Sequence, residues 1–361
     1  MSIEVVVPLG ERSYPVVVAS GGYAHLGRRL SALGLPRRLF LVTETNVGPL
    51  WASAVREVLT AAGFDIIVVT LPAGEVSKTT ETWTRCVDAL LDAGIDRRTP
   101  VVALGGGVLG DVAGFAAATV LRGVPFVQLP TTLLAMVDAS VGGKTGVNHP
   151  SGKNLVGAFH QPVLVYAALG TLATLPAAER IAGLGEVVKT ALIGDRDLLA
   201  RIEEQAEALR EGDVSALAPV IARCVEIKAA VVGRDERESG WRAVLNAGHT
   251  LGHAWEAASG FGVLRHGEAV ALGLLAETRW AVRRGYCQDP ELPRRLAELL
   301  HRLGLPTEPP TLPRDRLLGA MRVDKKARGD ILLVPVAVRA GQAVLAELPV
   351  QDLIELLPEP R

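Results

Sequence analysis

The segment Asn246-Ala-Gly-His249-Thr-Leu-Gly-His253 is followed thirteen residues later by His266-Gly-Glu268. Seven histidines occur in the 361-residue chain, and three of them fall within the eighteen positions 249–266. Four residues of α-helix turn through about 400°, so His249 and His253 are expected on one helical face. A helix presents two imidazoles to one metal or one substrate in this way. Upstream, Gly185-Glu186-Val-Val-Lys189 offers a carboxylate. Two His and one Glu form a recurring ligand set for catalytic zinc, with a position left for substrate or water. A lone histidine is more often a satisfied core or surface residue. Three clustered among so few favour a metal, although spacing alone leaves open which two would be ligands.

A second kind of chemistry is suggested by Leu104-Gly105-Gly106-Gly107-Val-Leu-Gly110-Asp111, which follows an apolar run and opens a helical pattern. Glycines let a backbone approach a phosphate, and a helix N-terminus favours its negative charge. Gly105, Gly107 and Gly110 spell GxGxxG, but after the fifth strand candidate instead of the first, so this is no standard dinucleotide fingerprint. Phosphate binding is still favoured over a mere packing turn. Pro72-Ala-Gly74-Glu75-Val-Ser-Lys78 and Pro130-Thr131-Thr132 also end strand candidates. Open parallel sheets bind ligands at such carboxyl ends. Glu44 and Asn46 occupy a fourth, where a carboxylate could hold a ribose.

Cations and polar groups interrupt apolar or glycine-rich context elsewhere. Asp138, Gly142, Gly143 and Lys144 share one loop, and Lys153-Asn154 follows. Lys189 lies one helical turn after Glu186, Lys228 sits in a long helical pattern, and Arg242 precedes Asn246 by a turn. Lys325 and Lys326 come late. Converging on one cavity, these would suit a substrate that carries phosphate and carboxylate together.

The elements that must position these groups fall into two textures. Strand candidates are 3–7, 14–19, 38–43, 66–71, 101–104, 126–129 and 163–166, with helical patterns at 26–33, 47–62, 79–93 and 112–120. Runs apolar throughout predict strands buried on both faces, hence a parallel sheet with crossover helices. From Ala177 the patterns are long and helical: 178–193, 197–211, 215–235, 241–258, 267–284, 290–303 and 313–321. A late hairpin is expected at 331–338 and 342–348. The boundary is placed near Leu169–Leu175, giving residues 1–172 as an α/β domain and 173–361 as a mainly α-helical domain for metal and substrate.

Composition narrows the classes. Length fits two ordinary domains or one large one. Hydrophobic residues make up 49% of the chain and aromatics only 4%, so the core must be built from Val, Leu, Ile and Ala. Net charge is −1, which speaks against a nucleic-acid or acidic-membrane partner. Cys86, Cys224 and Cys287 form no CxxC pair and read as reduced, buried thiols of a cytoplasmic protein. Met1-Ser-Ile-Glu4 lacks a basic signal-peptide region. The apolar stretch 101–121 is broken by Asp111 and five glycines, unlike a membrane span.

Several long motifs together resemble the 3-dehydroquinate synthase family of sugar-phosphate cyclases, in order along nearly the whole chain. They are Gly105-Gly-Gly-Val-Leu-Gly-Asp111, Gln128-Leu-Pro-Thr-Thr132 through Asp138, Ser140-Val-Gly-Gly-Lys144-Thr, Gly152-Lys-Asn154, Gly185-Glu-Val-Val-Lys189, Leu245 through His253, and His266-Gly-Glu-Ala-Val. The resemblance implies an N-terminal Rossmann-like α/β NAD-binding domain, an all-α C-terminal domain and a homodimer. It implies conversion of 3-deoxy-D-arabino-heptulosonate 7-phosphate to 3-dehydroquinate and phosphate, in the shikimate pathway to aromatic amino acids. Transient oxidation by NAD, phosphate elimination, reduction and an internal aldol closure would follow one another, with zinc or cobalt as the metal.

By position, the resemblance implies Glu186, His249 and His266 as metal ligands. NAD would meet Glu44, Asn46, Gly74, Glu75, Lys78, Gly107, Gly110, Asp111, Thr131, Thr132, Lys144, Lys153, Thr171 and Thr174. The family usually has Asp where Glu44 stands. The substrate would meet Asp138, Lys144, Asn154, Lys189, Lys228, Arg242, Asn246, His253 and either Lys325 or Lys326, with Lys326 preferred. Arg122 would reach the neighbouring subunit's site. Rival expectations are a 2-deoxy-scyllo-inosose or valiolone synthase, a metal-dependent glycerol-type alcohol dehydrogenase, and an inactive NAD-binding scaffold. Lys228 and Arg242, as a carboxylate-holding pair, speak for dehydroquinate synthase chemistry.

Overall fold

The computed structural model describes residues 2–260, 263–323 and 331–357. The chain divides into two compact units, Met1–Leu175 and Pro176–Arg361.

The first unit runs β1 (Ser2–Val7), β2 (Tyr14–Ala19), α1 (Leu26–Ala32), β3 (Arg38–Glu44), α2 (Ser53–Ala61), β4 (Asp65–Leu71), α3 (Thr80–Asp92), β5 (Val101–Gly105), α4 (Gly107–Thr119), β6 (Phe126–Pro130), β7 (Lys144–His149), β8 (Gly152–Phe159) and β9 (Leu164–Ala168). Seven strands make one sheet in the order β1-β2-β9-β6-β5-β3-β4. All neighbours are parallel except β1, which pairs antiparallel with β2. The seven strand candidates are all present. The antiparallel edge arises because only a short turn separates β1 from β2, too short for a crossover helix.

Side-chain alternation explains the two-sided core. Phe40 and Val42 of β3 pack with Cys86 and Leu90 of α3 and Val112 and Ala116 of α4. Leu39 and Leu41, pointing the other way, pack with Leu26 and Leu30 of α1 and Val55 and Leu59 of α2. Strands β5, β6 and β9 are buried at every position. Edge strand β4 is buried only at Val69 and Leu71. The glycine-rich stretch read as a loop around Lys144 leads into a separate antiparallel hairpin, β7–β8. This hairpin packs on α4, as do the sheet and α3, which is why α4 is apolar nearly all round.

The second unit contains α5 (Ala177–Gly194), α6 (Arg196–Glu204), α7 (Ala206–Glu211), α8 (Val214–Arg234), α9 (His249–Ser259), α10 (His266–Arg283), α11 (Leu292–Arg302), α12 (Arg314–Val323), β10 (Ile331–Arg339) and β11 (Gln342–Pro349). Helix α5 is buried continuously from Ala182 to Ile193, with α6, α7, α8 and α10 packed on it. The unit is helical apart from the late hairpin β10–β11, whose turn is tied in by Gly341 N donating to the Leu192 carbonyl at 2.9 Å. Two expected helices prove to be broken. Residues 197–211 form α6 and α7. Residues 241–258 form a tight turn over Trp241–Asn246 and then α9, because Gly248 takes a left-handed conformation (φ +78°) that no continuous helix accommodates. Among the described residues, no helix is long and apolar enough to cross a membrane. Cys86, Cys224 and Cys287 are buried and form no disulfide.

Candidate metal centre and cofactor loops

Glu186, His249 and His266 come from three helices, and glycines bring them together. Gly185 and Gly267 lie where α5 and α10 touch backbone to backbone. A Cβ on Gly185 would sit 2.1 Å from the Gly267 carbonyl oxygen, and one on Gly267 would sit 1.7 Å from that of Ala182. Each glycine adjoins a ligand candidate in sequence, Glu186 on α5 and His266 at the head of α10. The same device joins α9 to α10, where a Cβ on Gly273 would meet the Gly248 carbonyl at 1.9 Å. His249 and His266 are each the first residue of a helix.

Glu186 Oε1 stands 3.4 Å from His266 Nε2 and 3.7 Å from His249 Nε2. Donor atoms at 2.0–2.1 Å from a tetrahedral ion stand about 3.4 Å apart, so this donor set fits a zinc-like cation. The second oxygen, Oε2, pairs with Lys189 Nζ. The outer nitrogens are engaged as well: His249 Nδ1 is 3.0 Å from the Ala247 carbonyl, and His266 Nδ1 is 3.4 Å from Glu256 Oε2. Such partners hold each ring by Nδ1 and turn Nε2 toward Glu186, the orientation metal-binding imidazoles need. His253 lies alongside, its ring centroid 5.2 Å from that of His249 and 5.9 Å from that of His266. His253, Glu256 and His266 form a second trio with ligand atoms within 4.8 Å of one another. The two trios share His266, whose Nε2 faces Glu186 and whose Nδ1 faces Glu256, each at 3.4 Å; the first is the one the resemblance implies.

Charge in this cluster is unevenly held. Burial pushes His249 down to about 3, with Lys189 and the other imidazoles reinforcing it against the pull of Glu186. Burial also opposes charge on His266, but hydrogen bonds to Glu186 and Glu256 outweigh it and raise His266 to about 9.

The cations expected to meet substrate in this unit are buried: Lys189, Lys228 and Arg242 are 1%, 7% and 1% exposed. Helices α5 and α8 and the Trp241–Asn246 turn that carry them pack on one another. The turn is held by Asp235, whose carboxylate accepts bonds from the backbone N–H of Ser239, Gly240 and Arg242 at 2.8–2.9 Å. These backbone bonds hold Asp235 near 2, against the opposing effect of burial. Asn246 Nδ2 donates to Glu238 Oε1 at 2.8 Å, and Glu238 itself sits at a left-handed φ of 56°. Lys325 and Lys326 lie outside the described residues.

In the first unit, residues expected at NAD gather in one network. Lys78 Nζ contacts Asp111 Oδ2 at 2.6 Å and Asn154 Oδ1 at 2.5 Å. Glu75 Oε1 accepts from Asn148 Nδ2 at 2.8 Å and lies 3.9 Å from Lys153 Nζ. Asn154, expected at substrate, is thus joined to Lys78, expected at NAD. The N-terminus of α4 has Gly106 as its capping position and no side-chain cap, so its amides are available to an anion. Beside it, the Thr131 hydroxyl is buried with no hydrogen-bond partner among the described residues. Gly107 faces Ala139, while a Cβ on Gly110 would strike Gln128 Oε1 at 2.7 Å, so Gly110 serves helix–sheet packing. An anion-accepting helix start with an unsatisfied hydroxyl fits a dinucleotide phosphate.

The remaining residues are placed as follows. Both Glu44 oxygens accept local backbone bonds, from Asn46 N at 2.6 Å and Val47 N at 3.0 Å. Gly74 has φ +88° at the mouth of the Lys78 loop. Thr132 caps the next turn through Ala135 N at 3.2 Å, and Asp138 lies in that turn. Lys144 is exposed at the start of β7. Thr171 bonds the Ala168 carbonyl, and Thr174 accepts from Trp51 Nε1 at 2.9 Å. Arg122 is exposed within the left-handed run Leu121–Gly123. Sequence reasoning did not single out Glu238, Glu256, Glu277 or Asn148. The available signal for Glu256 and Glu277 was an acid inside an otherwise apolar helical stretch.

Comparison with known proteins identifies the family. Residues 68–182 match the family model for the 3-dehydroquinate synthase N-terminal domain, and residues 183–327 match that for the C-terminal domain. The 3-dehydroquinate synthase of Pelobacter propionicus is 45% identical over 350 residues, 97% of each chain. The 2-epi-5-epi-valiolone synthase ValA of Streptomyces hygroscopicus subsp. jinggangensis, solved with NAD+ and Zn2+, is 31% identical, with a TM-score of 0.83 over 90% of each chain. A 2-deoxy-scyllo-inosose synthase complexed with carbaglucose-6-phosphate, NAD+ and Co2+ is 26% identical, with a TM-score of 0.87 over 98% of this chain and 99% of that one. Two adjoining domain models over residues 68–327 and this level of identity show that the chain belongs to the 3-dehydroquinate synthase family.

Proposed function

We propose that the chain converts 3-deoxy-D-arabino-heptulosonate 7-phosphate to 3-dehydroquinate and phosphate with no net redox change. The convergence of Glu186 Oε1 with the Nε2 atoms of His249 and His266 carries this reading. When bound, a divalent zinc or cobalt ion supplies Lewis acidity to a substrate oxygen, and NAD supplies a reversible hydride acceptor.

The chain's own residues then bind, orient and move protons. Glu186, His249 and His266 would hold the ion, with Ala247 and Glu256 fixing the two rings. Lys189, buried against Glu186, would stabilise negative charge developing on a substrate oxygen. Lys228 and Arg242 are buried cations whose charge suits the substrate carboxylate, and Asn246, steadied by Glu238, would orient a hydroxyl beside them. His253, flanking both other rings, is the group to hold or move a proton at a substrate hydroxyl. In the first unit, the amides at the start of α4, Thr131 and the Lys78–Asp111 pair would hold NAD. Glu44, Asn46, Gly74, Glu75, Thr132, Lys153, Thr171 and Thr174 would complete its surroundings, while Asp138, Lys144 and Asn154 would face substrate. Arg122 would serve a partner's site in a cytoplasmic homodimer.

The test is to supply the heptulosonate phosphate with NAD and zinc while following phosphate release and absorbance of NADH. One phosphate per substrate and no accumulating NADH is expected. Stoichiometric NADH would identify an alcohol dehydrogenase. Turnover only with sugar phosphates that lack a carboxylate would identify one of the other cyclases.

A further inference from the structure

Glu277 is a carboxylate in the middle of α10, 2% exposed and eleven residues past His266. Its Oε2 accepts a hydrogen bond of 2.6 Å from the backbone N–H of Gly248. Gly248 is the left-handed residue that caps the start of α9, and the next residue, His249, is the first of the helix. Its neighbours on α10 leave it no room: a Cβ there would lie 2.6 Å from the Val270 carbonyl and 2.9 Å from Leu274. One helix therefore sets both imidazoles. Helix α10 carries His266 at its head and, through Glu277, grips the turn that aims His249. Helix α9 returns the contact through Glu256, which faces His266 Nδ1. Burying an acid here is costly unless it does something an apolar residue cannot. A carboxylate reaching a backbone N–H across two helices meets that condition.

We propose that Glu277 is a positioning residue for the metal centre, acting through the Gly248 N–H to hold His249 where its Nε2 faces Glu186. This rests on the metal reading given under Proposed function. Glutamine keeps an acceptor oxygen at the same reach, whereas leucine keeps the volume and loses the acceptor.

The experiment compares wild type, Glu277→Gln, Glu277→Leu and His249→Ala by zinc competition against a chromophoric chelator. The visible absorption of the cobalt-loaded proteins is recorded in parallel. Glu277→Leu should lose about 10–100-fold in zinc affinity and shift the cobalt bands. Glu277→Gln should stay close to wild type in both. If the leucine variant does not fold, Glu277→Asp takes its place; one methylene shorter, it cannot reach Gly248 and should show the same loss. Wild-type affinity and spectrum in the leucine or aspartate variant would overturn the proposal. Equal losses in Gln and Leu would overturn it too, by assigning the effect to charge and not to the backbone bond. Failure of the underlying metal reading is separately visible, as zinc affinity in wild type no better than in His249→Ala.

Discussion

Gly267→Ala should dismantle the metal centre without touching a ligand. The added methyl carbon would lie 1.7 Å from the Ala182 carbonyl oxygen. Restoring ordinary contact requires α5 and α10 to part by roughly 1.5 Å at that point. Glu186 is one turn beyond Ala182 on α5, and His266 is the residue before Gly267. The widening therefore falls on the 3.4 Å gap between Glu186 Oε1 and His266 Nε2. Metal sites tolerate displacements of about 0.2 Å. Overpacking of this kind costs about 1–3 kcal/mol of stability, which a chain of this size survives folded. Zinc affinity should fall at least as far as when an outer-shell partner is lost, by about 100-fold or more. Chelator competition measures the affinity, and thermal melts with EDTA present measure the metal-independent stability. Gly319→Ala on α12 is the control, since a Cβ there meets nothing within 4 Å and should leave zinc affinity unchanged. If Gly267→Ala bound zinc within twofold of wild type, the glycine crossing would not be what sets the ligand geometry.

Two further outcomes follow from charge. His266 is held at about 9 and His249 at about 3, so near neutral pH an arriving cation displaces one proton, from His266 and none from His249. Zinc affinity should rise about tenfold per pH unit between pH 6 and 9 and level off above; calorimetry in buffers of different ionisation heat reports the proton, and a flat profile would contradict the assignment. Arg242→Ala, which removes a buried cation, should weaken substrate by about 2–5 kcal/mol with little effect on NAD; equal losses in both would count against a carboxylate role.

The centre of the sheet was readable from sequence because its inner strands are buried on both faces. Phe40-Leu41-Val42 and Val101-Val102-Ala103 announce themselves as unbroken apolar runs. Hairpin β7–β8 was not readable. Its residues, such as Lys144, Gly146, Asn148, Lys153 and Gly157, alternate polar groups with glycine, and its pairing depends on the helix it covers. The histidine cluster was legible through rarity and spacing, and His249 and His253 do share a helix. The break at Gly248 was hidden, since nothing local distinguishes a glycine that spaces helices from one that turns left-handed. Glu256 and Glu277 escaped for a related reason: their partners, His266 and Gly248, are remote in sequence, and only packing reveals them.

Both imidazoles of the trio stand at the opening residue of a helix, and that has an electrostatic consequence. Each helix start carries about half a positive elementary charge, felt mainly within its first turn. Two such starts, with the Lys189 ammonium beside them, offset the negative charge that Glu186, Glu256 and Glu277 bring to the cluster. With that offset, an oxygen atom arriving there meets less repulsion in its ionised form than three buried acids alone would impose. Small oxyanions should therefore compete for the position alongside neutral alcohols, and high ionic strength should blunt that competition only weakly, because the charges that permit it are buried.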